Sequence, residues 1–212
     1  MTFTLVTPPK PVLSLAEVKD HLRVEQTYLG EDALIDGLIQ AATAHIDGPT
    51  GWLGRCLGRQ TWDMKLDSDE WPAGSTDYLQ LPCRPTIAVD FVKYTDTDGV
   101  EQTWRDYTVL GLNSVTSPAR IIPNWRSTWP RVRSPLGEAA TVRFTAGYSK
   151  SDGESSPGYV NDVPTPIRAA LKLMIGDLYM FRETVSIEHI APRINMTTTV
   201  ENLLAPFRVW EA

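Results

Sequence analysis

Ile87-Ala88-Val89-Asp90-Phe91-Val92-Lys93-Tyr94 runs into Thr95-Asp96-Thr97-Asp98-Gly99 and resumes as Val100-Glu101-Gln102-Thr103-Trp104. β-branched and aromatic residues on both sides of an Asp-Gly pair predict two antiparallel strands joined by a tight turn, since Gly accepts the positive φ that such turns need. The same segment superficially suggests a calcium loop. Counting from Gly99, however, puts Tyr94 at the first ligand position and Arg105 at the twelfth, where a bidentate Glu is required. The hairpin is the better account. Around it, Thr61 to Leu66 and Tyr78 to Leu81 alternate with period two, and Tyr107 to Leu110, Ala119 to Ile122 and Ala140 to Ala146 read as further short strands. Residues from about 60 to 147 are therefore expected to form a β-rich antiparallel lobe.

Helical patterns flank this lobe. Ser14-Leu15-Ala16-Glu17 is a capping box, in which the Ser hydroxyl and the Glu carboxylate each satisfy the other's backbone N–H. Leu15, Val18 and Leu22 continue it as an amphipathic helix near 15–24. Glu31 and Asp32 open a second helix near 31–47, with Leu34, Ile35, Leu38, Ile39, Ala42 and Ile46 as its apolar stripe and Gly48-Pro49 as its stop. Ser149 to Asn161 is polar and Ser/Gly-rich, and reads as a surface loop. A third helix near 166–183 follows, with Thr165 as N-cap and Pro166 at the first helical position. Ile167, Ala170, Leu171, Met174, Ile175, Leu178 and Tyr179 form its buried face. The expected class is α+β: a small helical bundle with an inserted β-rich lobe. Residues 1–183 form one domain and 184–212 an extended C-terminal arm.

Composition excludes several function classes. The chain has 212 residues, a net charge of −6, 16 Pro, 14 Gly and 7 Trp. Net acidity argues against bulk attraction to nucleic acid. Cys56 and Cys83 have no metal-site spacing, and His21, His45 and His189 stand apart from one another, so no metal and no cofactor is expected. The start MTFTLVTPPKP lacks a basic segment followed by an apolar one, so no secretion signal is expected, and the Asn195-Met196-Thr197 sequon is read as idle. No run of about eighteen apolar residues is present to span a membrane. Gly147-Tyr148-Ser149-Lys150-Ser151 fails as a nucleophile elbow because the last position is Ser, and Gly51 to Gly58 lacks the pattern of a phosphate loop. No catalytic constellation emerges, and the chain is read as a non-enzyme.

Charge is distributed unevenly. Tyr107 to Gly137 contains no acid but carries Arg120, Arg126, Arg131 and Arg133, interleaved with Trp125 and Trp129. Such a stretch suits an interface between subunits, internal stacking of Arg on Trp, or a grip on nucleic acid. Upstream, Asp63, Asp67, Asp69, Glu70 and Asp77 stand against Lys65 alone. An acidic and a basic patch on one chain can meet head to tail between identical neighbours. At the C-terminus, Leu203, Leu204, Phe207, Val209 and Trp210 follow a Thr-rich stretch. They would either enter a groove on a partner or fold back on the chain's own core.

The succession of these features resembles the head–tail connector, or adaptor, proteins of tailed bacteriophages and related gene transfer particles. The resemblance runs through Leu5-Val6-Thr7-Pro8-Pro9, Ser14 to Val24, Glu31-Asp32-Ala33-Leu34-Ile35 and Ala44-His45-Ile46, then Thr50-Gly51 and Gln60-Thr61-Trp62. It continues through Leu81-Pro82 with Arg84-Pro85, Tyr94 with Asp98-Gly99, Pro118-Ala119-Arg120-Ile121 with Trp129-Pro130, and Phe144 with Ala146-Gly147-Tyr148. Val163-Pro164 to Ile167-Arg168 and Tyr179 with Arg182-Glu183 complete it. The chain departs in a longer loop between Tyr148 and Val163, and in Asp177-Leu178 where relatives commonly carry His-Trp. The resemblance implies a ring of about a dozen copies under a portal protein, continuing a double-stranded DNA channel without binding it specifically and offering a platform to a stopper or tail-completion protein. It also implies a place at the head–tail junction of a particle assembled in the bacterial cytoplasm, with portal docking through Leu203, Leu204, Phe207, Val209 and Trp210. The intersubunit contacts would fall to Arg120, Trp125, Arg126, Trp129, Arg131 and Arg133 against Asp63, Asp67, Asp69 and Glu70. The rival readings are a DNA-binding packaging accessory acting through Arg120 to Arg133, and a stopper or tail-completion protein.

Overall fold

The computed structural model describes residues 1–72, 78–148, 162–181 and 196–209. They fall into two compact units: a β-rich lobe of Met1–Pro9 with Arg55–Tyr148, and a helical unit of Lys10–Gly54 with Ser149–Ala212.

The lobe holds two antiparallel sheets. The larger contains β1 (Thr2–Thr7), β2 (Gln60–Leu66), β4 (Thr86–Thr95), β5 (Glu101–Trp104) and β8 (Ala140–Ala146), in the order β1-β2-β8-β4-β5. The smaller contains β3 (Leu79–Gln80), β6 (Tyr107–Leu110) and β7 (Arg120–Pro123), in the order β3-β7-β6. The β4–β5 hairpin forms where the Asp-Gly signal puts it. Gly99 has φ +84, and Asp96 closes the turn by accepting N–H bonds from Asp98 at 3.0 Å and Val100 at 2.9 Å. Those bonds, led by the Val100 N–H, hold the Asp96 carboxyl below its ordinary range. Strand β1 is an addition to the expected lobe. Its Thr-Phe-Thr-Leu alternation pairs with β2 in the register Phe3↔Met64 and Leu5↔Trp62.

Met64, Leu66, Val92, Val142 and Phe144 line the core, together with Leu81 and Ile121. One side of that core is aromatic. The Trp129 ring lies 5.0 Å from Trp71, nearly perpendicular to it, and 4.7 Å from Trp104, while Trp71 donates its indole N–H to the Pro130 carbonyl at 2.9 Å. Edge-on indole contacts add to the large area that each ring removes from water.

The helical unit contains α1 (Leu15–Leu22), α2 (Asp32–Ile46), α3 (Thr165–Met180) and α4 (Thr198–Leu204), followed by a 3-10 turn, Ala205–Phe207. The capping box is present: Ser14 Oγ accepts the Glu17 N–H, and the Glu17 carboxylate accepts the Ser14 N–H, each at 3.2 Å. Ile35, Ile39, Ala42 and Ile46 are buried as expected, but Leu34 is exposed and Leu38 only half-buried, so the apolar face is narrower than its stripe in the sequence. Helix α3 begins one residue early, with Pro164 rather than Thr165 at the N-cap, and Ile167, Ala170, Leu171, Met174 and Ile175 are buried. Its expected continuation through Arg182 and Glu183, the 149–161 loop, His189 and the Asn195 of the sequon lie outside the described residues.

Residues 196–209 are not an extended arm. Thr197, read as part of a tether, caps α4 by accepting the Val200 N–H, and Val200 and Leu204 are wholly buried. Two apolar side chains one turn apart on a short helix are cheaper to seat on α3 than to leave in water. A buried lysine joins α1 to the loop before α2. Lys19, 2% exposed, donates to the Tyr28 carbonyl at 2.7 Å and the Gln26 carbonyl at 3.2 Å, and pairs with Asp32 at 2.5 Å. Every direction its ammonium faces is occupied, which is what lets the charge be buried. Glu17 adds a second tie, since Arg168 on α3 pairs with its carboxylate and donates to the Val12 carbonyl at 3.0 Å.

Two outcomes follow. Trp129→Ala should destabilise the lobe by about 3–5 kcal/mol, whereas Trp125→Ala, at an exposed position, should stay within about 0.5 kcal/mol. Urea titration of each variant measures both. Burial alone would raise the Glu17 pKa, but the Ser14 N–H and the Arg168 charge together hold it below its ordinary 4.5. A lowered folded-state pKa means stability that is present above that ordinary value and lost as pH falls through the folded one. Glu17→Gln keeps a capping side chain and removes the charge. It should therefore cost about 1–2 kcal/mol at pH 7, with the gap to the parent closing in melts at about pH 3.

Candidate interaction surfaces

No group of three or more His, Cys, Asp or Glu side chains gathers as a metal site among the described residues. Cys56 and Cys83 are buried free thiols, and no described helix is long and apolar enough to cross a membrane.

The basic and aromatic stretch is divided by the fold. Trp129, expected at an intersubunit contact, is 2% exposed and belongs to the lobe's own core, where Trp71 and Trp104 use up its faces. Trp125 is the opposite case, 90% exposed at the tip of a turn after β7. Asn124 holds that turn rigid. Its backbone N–H reaches the Asp106 carbonyl at 3.1 Å, its side-chain amide donates to the Asp106 carboxylate at 2.7 Å, and its amide oxygen accepts the Thr108 hydroxyl at 2.6 Å. Ser127 N–H closes the turn on the Asn124 carbonyl at 2.9 Å, which leaves Arg126 with φ +67. Ser127 and then Asn124 hold the Asp106 carboxyl below its ordinary range. Arg120 lies over the Tyr78 ring at 4.2 Å, and Arg126, Arg131 and Arg133 are exposed.

The acidic stretch is mostly spent inside the lobe. Asp63 faces Arg143 across the β2–β8 pair and receives two bonds from its guanidinium, at 2.7 and 2.8 Å. That bidentate bond is the main cause of the raised Arg143 pKa. Asp67 accepts the Glu138 N–H at 2.8 Å, and Glu70 accepts the Asp67 N–H at 3.0 Å. Asp69 is exposed, and Asp77 lies outside the described residues.

The C-terminal docking residues are likewise divided. Leu204, expected to dock on a partner, is wholly buried against the helical unit's core. Leu203 and Phe207 are half-buried, and so is Val209, whose N–H reaches the Leu53 carbonyl at 2.9 Å. Arg208 stacks over the Trp52 ring at 4.4 Å, and Trp210 lies outside the described residues.

Sequence reasoning passed over three features. Lys19 falls on the same helical face as Leu15, Val18 and Leu22, and a lysine on an apolar stripe is the signal that was available. Arg55 is buried and donates to the Val115 carbonyl at 2.7 Å and the Tyr148 hydroxyl at 3.4 Å. Burial, with Arg55 and Arg120 nearby, lowers the Arg84 pKa, so three guanidiniums share one region of the lobe. The third is an exposed apolar set on the helical unit: Tyr28, Leu29, Leu34, Met180 and Phe181.

Among the described residues the chain is thus a two-sheet lobe and a four-helix unit, each drawn from two stretches of chain. No family model and no curated protein matches the chain significantly. Solved structures do match over its whole length. A chain in the neck of an empty GTA particle computed with C6 symmetry superposes with a TM-score of 0.73 at 22% identity, covering 100% of this chain and 97% of that one. A chain in the virion of a native gene transfer agent particle gives the same values, and one in the neck of the native GTA particle computed with C12 symmetry gives 0.66 at 20% identity with the same coverage. The fold is that of a gene transfer agent neck chain.

The Trp125 turn generates its own prediction. Asn124→Ala removes two side-chain bonds, each worth about 1 kcal/mol. The Ser127 amide should then exchange with deuterium about tenfold faster or more, while amides of β8 keep their protection.

Proposed function

We propose that this chain is a structural connector in the neck of a phage-like gene transfer particle. Copies assemble as a ring beneath the portal at the head–tail junction, extend the DNA channel, and give a stopper or tail-completion protein its platform. The observation that carries the reading is the end-to-end correspondence of fold with neck chains whose particles were computed with C6 and C12 symmetry. The reading assigns no catalytic role, and it places assembly in the bacterial cytoplasm.

Charge supports a conduit. The lobe carries eleven basic and eleven acidic residues, so the net −6 resides on the helical unit. A surface without net positive charge releases few counterions from passing duplex and lets it slide. Because Leu204 is committed to the core, portal docking through the C-terminal segment rests on Leu203, Phe207, Val209 and Trp210. Cutting the chain after Glu183 would also remove α4, so shorter changes are the sound test.

Light-scattering mass of the full-length chain, alone and mixed with its portal, tests the proposal. A stable complex is expected. It should be lost with Phe207→Ser and with a chain ending at Val209, both with unchanged circular dichroism. A chain that ignores the portal but binds a stopper would be a tail-completion protein. One that ignores both but binds duplex DNA, with an affinity that collapses when Arg120, Arg126, Arg131 and Arg133 become Ala, would be a packaging accessory.

A further inference from the structure

An indole left 90% in water on a turn tied by hydrogen bonds through Asn124 is a large apolar side chain held in one defined arrangement. It is a favourable one for binding, because the ordering entropy of the turn is spent before any partner arrives. Arg126, next to the indole in sequence, is exposed and pairs with no carboxylate among the described residues. The feature is an apolar knob with one positive charge beside it.

The helical unit carries a surface of the opposite kind. The Tyr179 hydroxyl donates to the Glu31 carboxylate at 2.5 Å and so holds the end of α3 beside the start of α2. Lys19 fixes the Tyr28 carbonyl, and the Tyr28 ring folds back over Gly30, its hydroxyl 2.6 Å from where a Gly30 Cβ would stand. Tyr28, Leu29, Leu34, Met180 and Phe181 therefore stand exposed around one end of the bundle, with Phe181 at 75% and Leu29 at 72%. Near it in sequence the exposed acids Glu25, Asp36 and Asp177 outnumber the exposed Arg23. This is an apolar seat with a majority of acids near it.

We propose that the Trp125 knob of one copy docks on the Tyr28–Leu34 and Met180–Phe181 seat of the next copy, which makes this the anchoring contact between neighbours in the ring. The inference rests on the connector reading above and names the surfaces it leaves open. The charges match across the pair, Arg126 beside the knob and a majority of acids near the seat. Knob and seat differ in shape and sit on different units of the chain, so the contact is heterologous, the type that closes into a ring when its rotation permits. A Trp and Arg centre is the composition of an interface hot spot. Stacking on passing DNA is the weaker use of the indole, since paired bases in a duplex offer no free face.

A photo-reactive benzoylphenylalanine replacing Trp125 in the full-length chain, incorporated into particles, tests the contact. Chain-to-chain crosslinks mapping to residues 25–36 or 173–181 are expected. In solution, Trp125→Ala and Phe181→Ser should each weaken self-association at least tenfold, while Leu112→Ser, at another exposed apolar position, should not. Crosslinks that land on a different surface of the chain, on another particle protein or on DNA, in particles that retain the ring, would overturn this inference and leave the connector reading standing. Particles from which the chain is absent would overturn both.

Discussion

Strand β8 has a neighbour on each edge, and the lobe depends on that constraint. Its register with β2 runs without a break from Gln60↔Ala146 to Leu66↔Ala140, while its register with β4 shifts twice, between Thr86 and Ala88 and between Val89 and Phe91. A strand hydrogen-bonded on both sides has no freedom to slip, because a one-residue slip would turn Val142 and Phe144 out of the core. The bulges are accordingly on β4, which is longer and carries the hairpin. The Asp63–Arg143 pair marks the same register on the opposite face. Everything that the lobe presents, including the Trp125 turn, is positioned from this strand outward.

The elements that could be read from the sequence are those whose physics is local. The Ser14–Glu17 box, the Asp98-Gly99 turn and the apolar face of α3 each need only neighbours within a few residues, and each is where it was expected. Strand β1 was missed although Thr2-Phe3-Thr4-Leu5 alternates, because six residues carry too little periodicity to stand out before their partner strand is known. The C-terminal segment misled for a related reason. Val200 and Leu204 make a helical face only if Thr197 is a cap, and a run of threonines reads equally well as a tether.

Interaction surfaces were legible by composition but not by residue. Trp125 and Trp129 are four positions apart between arginines, and nothing local tells them apart. One is enclosed by Trp71 and Trp104, from distant parts of the chain, and the other caps a turn whose rigidity comes from Asp106 and Thr108. The acidic stretch shows the same dependence on long-range pairing. Asp63 has its partner in Arg143, eighty positions away, and Asp67 spends an oxygen on the Glu138 amide. A charge run in sequence thus becomes a nearly neutral surface, and the electrostatic character of the molecule is set by the helical unit instead.

The division of each unit between two stretches of chain has a consequence on the ribosome. The lobe needs Met1–Pro9 and Arg55–Tyr148, so all of its strands have been synthesised once residue 148 has emerged. The helical unit starts earlier and finishes later, since α1 and α2 wait for α3 and α4. At about 5–20 residues per second, the face formed by Ile35, Ile39 and Ile46 stays uncovered for roughly 6–24 seconds of translation. The chain order thus lets the lobe complete its sheets while the first helices still lack α3 and α4.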